Sequence, residues 1–139
     1  MTPLVAEWLQ KAEADASGAE VLLKSRHRVV DDLICFHCQQ AAEKYLKARL
    51  QEADARFPKT HDLSQLIALV IPHDPLWGVL CDSLRDLDSY AVETRYPGRS
   101  VSRQDVREAM QIMRRVRRMA KDHFGASRVS TQPKGGTGR

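Results

Sequence analysis

The sequence predicts an all-α protein, an antiparallel up-and-down bundle of four to five helices. Three observations carry that expectation. Apolar residues recur at three- and four-residue spacing in five separate segments, no segment sustains an apolar/polar alternation, and the breaks between segments fall on proline, glycine and capping residues. At 139 residues the chain fits one domain with one core. Residues 1–125 are expected to form it, with 126–139 as a disordered C-terminal tail.

The first helix is expected over residues 4–25, with Leu4, Trp8, Ala12, Ala16, Ala19 and Leu22 or Leu23 on one side. Asp31 or Asp32 offers the N-cap of a second helix reaching about Leu50, whose apolar positions are Leu33, Ile34, Phe36, Ala41, Tyr45, Leu46 and Ala48. Pro58 breaks the pattern, and Asp62 caps a short third helix from Leu63 to Ile71, ended by Pro72. Asp74-Pro75 reads as the start of a fourth helix running to about Val92, with Leu76, Leu80, Leu84 and Leu87 as its stripe. Tyr96-Pro97-Gly98 forces a turn, and Ser102 with Asp105 imitates a capping box. The fifth helix runs to about Phe124, sending Val106, Met110, Met113, Val116 and Ala120 inward and its arginines outward. The tail, ending Gln132-Pro133-Lys134-Gly135-Gly136-Thr137-Gly138-Arg139, has too few apolar groups to offset the entropy of ordering.

A hydrophobic fraction of 42% and a charged fraction of 29% are ordinary for a globular domain. No apolar run approaches the roughly 18 residues of a membrane helix, and the N-terminus does not read as a secretion signal. The expected location is cytoplasmic. Three cysteines do not make a disulfide framework. Cys35 and Cys38 form a CxxC around His37, but with Cys81 as the one remaining thiol they lack the four ligands of a structural zinc site, so they are expected as small buried apolar residues. No metal or cofactor is implied.

Charge divides along the chain. Residues 1–94 carry 10 Lys/Arg against 15 Asp/Glu, a balance of −5, whereas residues 95–128 carry 10 against 3, a balance of +7. A basic final third of this kind is either a solvated helix face or an attractor for an anionic partner.

Several residues are candidates for binding. Gln40, Glu43, Lys44 and Lys47 recur along one strip of the second helix. Lys44 lies near the edge of the buried stripe, while Glu43 and Lys47 read as an ordinary exposed pair. His61 stands in a corner before a helix, where an imidazole fixes the turn or donates to phosphate. Arg95 is suited to grip phosphate and Tyr96 to stack on a base. Equally, Arg95 caps the preceding helix and Tyr96 packs over the bundle end.

The stretch Phe36-His37-Cys38-Gln39-Gln40-Ala41-Ala42-Glu43-Lys44-Tyr45-Leu46-Lys47-Ala48, the corner Thr60-His61-Asp62-Leu63 and the turn Arg95-Tyr96-Pro97 together resemble the HEPN family. The likeness covers most of residues 4–124. It implies a four- or five-helix bundle that pairs as a homodimer, and a nucleotide- or nucleic-acid-associated role beside a separately encoded minimal nucleotidyltransferase, as in a toxin–antitoxin pair. On that reading Lys44, Lys47, His61, Arg95 and Tyr96 are the nucleotide-binding residues. Members that cleave RNA resemble one another in an arginine followed four to six residues later by a histidine. After Arg95 and Arg99 no histidine appears until His123, which argues against catalysis. Arg118 and His123 do satisfy the spacing, so a metal-independent endoribonuclease using that pair is one alternative. A non-catalytic dimerisation scaffold is another.

Overall fold

The computed structural model describes residues 1–93 and 96–131, and among them every regular element is helical. Helix α1 (Pro3–Ser25) starts where the Thr2 side chain accepts from the Val5 amide at 3.2 Å, with proline in the first turn. It stops at Arg26, which turns left-handed at φ 60 and returns its N–H to the Leu23 carbonyl. Its core face is Val5, Ala12, Ala16 and Ala19. Those small side chains let α1 lie close along α2 (Asp31–Glu52).

Helix α2 is the central element and packs against α1, α3 (Leu63–Val70), α4 (Cys81–Glu93) and α5 (Arg103–Thr131). Tyr45, Leu46 and Leu50 are buried in that position, each side chain worth about 1.5–3 kcal/mol of transfer from water. Val30 occupies the cap position of α2 and Asp31 and Asp32 its first turn, so neither aspartate is the N-cap. Their charge instead favours the helix N-terminus, and Asp32 accepts from the Val101 amide at 3.3 Å. Asp62 caps α3 as expected, accepting from Ser64 and Gln65. Ser102 and Asp105 exchange bonds at 3.1 and 3.0 Å, which completes the capping box of α5.

The expected fourth helix is split. Pro75–Leu80 forms a 3₁₀ segment and α4 begins at Cys81. With three residues per turn the α-helical phase is lost, so Trp77 and Leu80 enter the core and Leu76 is 69% exposed. Leu4, Leu33 and Phe36 also stand outside the core, at 48%, 43% and 40% exposure. Cys35 and Cys38 are both buried, the Cys38 thiol against the Met110 sulfur at 3.4 Å. Burial pushes both thiols up, Cys35 to about 12. The α5 backbone continues to Thr131, past the expected end near Phe124; residues 132–139 of the expected tail lie outside the described residues.

Candidate functional site

The outward strip of α2 is the floor of the candidate site. Glu43 accepts from Lys47 Nζ at 2.9 Å and from His61 Nδ1 at 2.9 Å. The Glu43 and Lys47 side chains are only 4% and 8% exposed, so they are not the exposed pair the spacing suggests. Trp8 of α1 closes over the ammonium, whose Nζ lies 5.5 Å from the ring centroid. Lys47 therefore neutralises and holds Glu43 from the inside. The His61 side chain remains 70% exposed. With Nδ1 donating to the carboxylate, its Nε2 faces away from Glu43.

Asp15 of α1 holds two further side chains of α2, Lys44 beside Glu43 and His37 nearly two turns before it. It accepts from Lys44 Nζ at 2.5 Å and from His37 Nδ1 at 2.8 Å. The Lys44 side chain is 24% exposed, in keeping with its position at the edge of the buried stripe.

The corner carrying His61 is fixed from the other side. Gln39 Nε2 donates to the His61 carbonyl at 2.6 Å and to Asp88 of α4 at 3.4 Å. Asp88 also accepts from the Leu63 amide at 2.8 Å. Burial raises the Asp88 carboxyl to about 6, opposed by the bonds from Leu63 and Gln39 and reinforced by the neighbouring Asp62. Two carboxylates thus meet at the N-terminus of α3, where the unpaired amides and the helix dipole favour negative charge.

The structure brings Lys47 and His61 to the same carboxylate, Lys47 from the interior and His61 from the surface, and holds Lys44 separately on Asp15. Tyr96 stands apart from them. Its segment joins the bundle where Val101 meets Asp32, fifteen residues of α2 from Lys47 and hence about 22 Å along the helix. Tyr96 is 57% exposed, with the Arg99 guanidinium 6.0 Å from its ring centroid. Arg95 lies outside the described residues.

Arg118 and His123 are five residues apart on α5, which turns them about 140° from one another. Arg118 is exposed. His123 turns toward α2, with Nε2 2.6 Å from Glu52 and its ring edge-on to Trp77. Within one chain these two side chains do not converge. The basic face of α5 is also partly neutralised: Arg114 binds Glu20 with two bonds at 2.8 and 2.7 Å, and Arg117 binds Glu13 with two at 3.0 Å. Tyr45 also donates to Glu13.

Sequence reasoning missed Asp15 and Asp88, which organise the two halves of the site. Each is an ordinary surface aspartate by its neighbours in the chain. Its partners lie 22 to 49 residues away. Among the described residues no group of three His, Cys, Asp or Glu side chains is placed to share a metal ion.

Comparison with known proteins follows the same fold. No curated protein matches the chain. A crystal structure of an archaeal HEPN homologue superposes with a TM-score of 0.66 at 24% identity, over 86% of this chain and 96% of that one. At that identity the likeness concerns the fold. The family model described as the HEPN domain matches residues 5–123; the chain belongs to the HEPN domain family.

Proposed function

We propose that this protein is a nucleotide- or RNA-binding HEPN module whose contact face is the outward strip of α2. The observation that carries the reading is the paired arrangement on that strip. Lys44 and His37 are held by Asp15, and His61 by Glu43, which is itself neutralised by buried Lys47. Lys44, which keeps two ammonium protons beyond its bond to Asp15, is a positioned donor that suits phosphate, because ordering it in advance reduces the entropy lost on binding. Beside them Phe36 and Leu33 expose apolar surface that suits a base or a second copy of the chain. Exposed Tyr96 extends the contact to a longer RNA, and Arg95 is proposed to bind it too.

The module works as a homodimer with a separate minimal nucleotidyltransferase, in the manner of a toxin–antitoxin pair. This part of the reading rests on the family resemblance. Binding rather than cleavage is favoured by the divergence of Arg118 and His123 around α5. Isothermal titration with ATP, GTP and a short single-stranded RNA at low salt tests the ligand, and sedimentation tests the dimer. No heat with any of the three ligands would remove the binding function. A monomer at all concentrations would remove the pairing.

A further inference from the structure

A second concave site lies away from the α2 strip. Helix α1 and the C-terminal half of α5 leave a groove of ≈ 890 Å³ between them, within the roughly 300–1,000 Å³ typical of small-molecule sites. Ala6, Leu9 and Phe124 give it apolar walls, Glu13 and Tyr45 a polar end, and Lys121 a charged rim.

The charges at this groove favour an anion. Glu13 is held as a carboxylate: burial opposes ionisation, but hydrogen bonds from Arg117 and Tyr45 and the charges of Arg117 and Lys121 keep its carboxyl below the ordinary range. Lys121 approaches Glu13 at only 3.5 Å, and its side chain remains 54% exposed. Arg118 precedes Lys121 by three residues and so neighbours it on the helix surface. Arg118 is exposed and makes no ion pair with any described residue. Glu13 and Lys121 are the charged side chains that line the groove, and Arg117, Arg118 and Asp122 stand beside Lys121 on α5, so the surroundings add two positive charges against one negative.

We propose that the α1–α5 groove binds a small anionic amphiphile, with its apolar body between Leu9 and Phe124 and its carboxylate or phosphate on Lys121 and Arg118. The site is separate from the α2 strip and does not depend on the function proposed for it. Two sources share this chemistry, an acyl carboxylate and a nucleoside monophosphate.

The reporter is 8-anilinonaphthalene-1-sulfonate, an aromatic body bearing one anion, titrated by fluorescence and displaced with octanoate or AMP. Saturable binding is expected, weakened about tenfold or more in Lys121→Glu, because a charge-assisted bond is replaced by repulsion. Ala6→Trp, which fills the groove without touching a charge, is expected to weaken it similarly. Both variants are checked for native helicity, and Arg85→Ala, exposed on α4 away from the groove, is expected to bind the dye as the unaltered protein does. Displacement by octanoate alone identifies an acyl ligand, and displacement by AMP alone a nucleotide. A flat titration, unchanged binding in Lys121→Glu and Ala6→Trp, or displacement by neither competitor overturns the proposal.

Discussion

His61 hydrogen-bonds through Nδ1 to the buried carboxylate of Glu43 at 2.9 Å, across 18 residues of chain. That bond ties the corner before α3 to the middle of α2, while Lys47 satisfies the same carboxylate from beneath. Glu43 is thus the hinge of the site: one side chain joins an interior cation to a surface imidazole. Its removal separates the stability of this arrangement from its function.

Glu43→Ala leaves the Lys47 ammonium buried against Trp8 without its counter-charge. Breaking a buried pair in this way costs about 3–5 kcal/mol, and urea denaturation is expected to show a loss of that size. Replacing both residues together, Glu43→Leu with Lys47→Met, is expected to recover most of it, since no uncompensated charge remains. A loss below about 1 kcal/mol in Glu43→Ala, as for an exposed helix pair, would show that Lys47 reaches water.

Asp88 gives the fold a pH dependence with a defined sign. Its carboxyl is raised to about 6 from 3.8, so the folded protein binds the proton more tightly than the unfolded chain. Its contribution to stability is therefore present below the unfolded value and is lost as pH rises through 6. Glu13 and Glu20 act in the opposite sense and in a lower window. Their carboxyls are held below 4.5, so their contribution is present above that value and falls away in acid. Between pH 7 and pH 5 the melting temperature of the native protein is expected to rise relative to Asp88→Asn. Identical pH slopes for the two proteins would contradict the role of Asp88.

Tyr45 donates its hydroxyl to Glu13, which also receives two bonds from Arg117. Tyr45→Phe keeps the packing and removes one hydrogen bond, for an expected loss of about 1 kcal/mol. Combined with Arg117→Ala the two losses are expected to be non-additive, because both act on one carboxylate. Strict additivity in denaturation would mean that the shared carboxylate does not couple them.

Arg118 and His123 face different ways on α5, and His123 is engaged by Glu52. Purified protein is expected to leave RNA intact, with His123→Ala changing stability by about 1 kcal/mol through the lost bond. Cleavage abolished by either Arg118→Ala or His123→Ala would restore the endoribonuclease alternative.

The bundle itself was legible because helix periodicity and end signals are local. Asp62, Ser102 and Asp105 cap where the sequence places them, and the alanine face of α1 packs as its spacing requires. The 3₁₀ segment at Pro75–Leu80 was not legible, since Leu76 fits an α-helical stripe that only the observed winding breaks. The site was half legible. Helix spacing singled out Lys44 and Lys47 and the corner singled out His61 as candidates, yet Glu43 and Lys47 are buried where spacing suggests an exposed pair, because Trp8 and His61 cover them from other elements. Asp15, Glu13 and Glu20 set the charge of the strip and of α5 through partners 22 to 104 residues away, and pairing over such separations leaves no periodic trace.

The central claim is that the α2 strip binds the phosphate of a nucleotide or RNA. Fluorescence anisotropy of a labelled short RNA at low salt, titrated with the native protein, Lys44→Ala and His61→Ala, tests it most directly. Saturable binding is expected, weakened about tenfold in Lys44→Ala by loss of a charge-assisted contact, less in His61→Ala, and reduced by added salt. An anisotropy that does not change with native protein, or titrations that coincide for all three proteins, would contradict it.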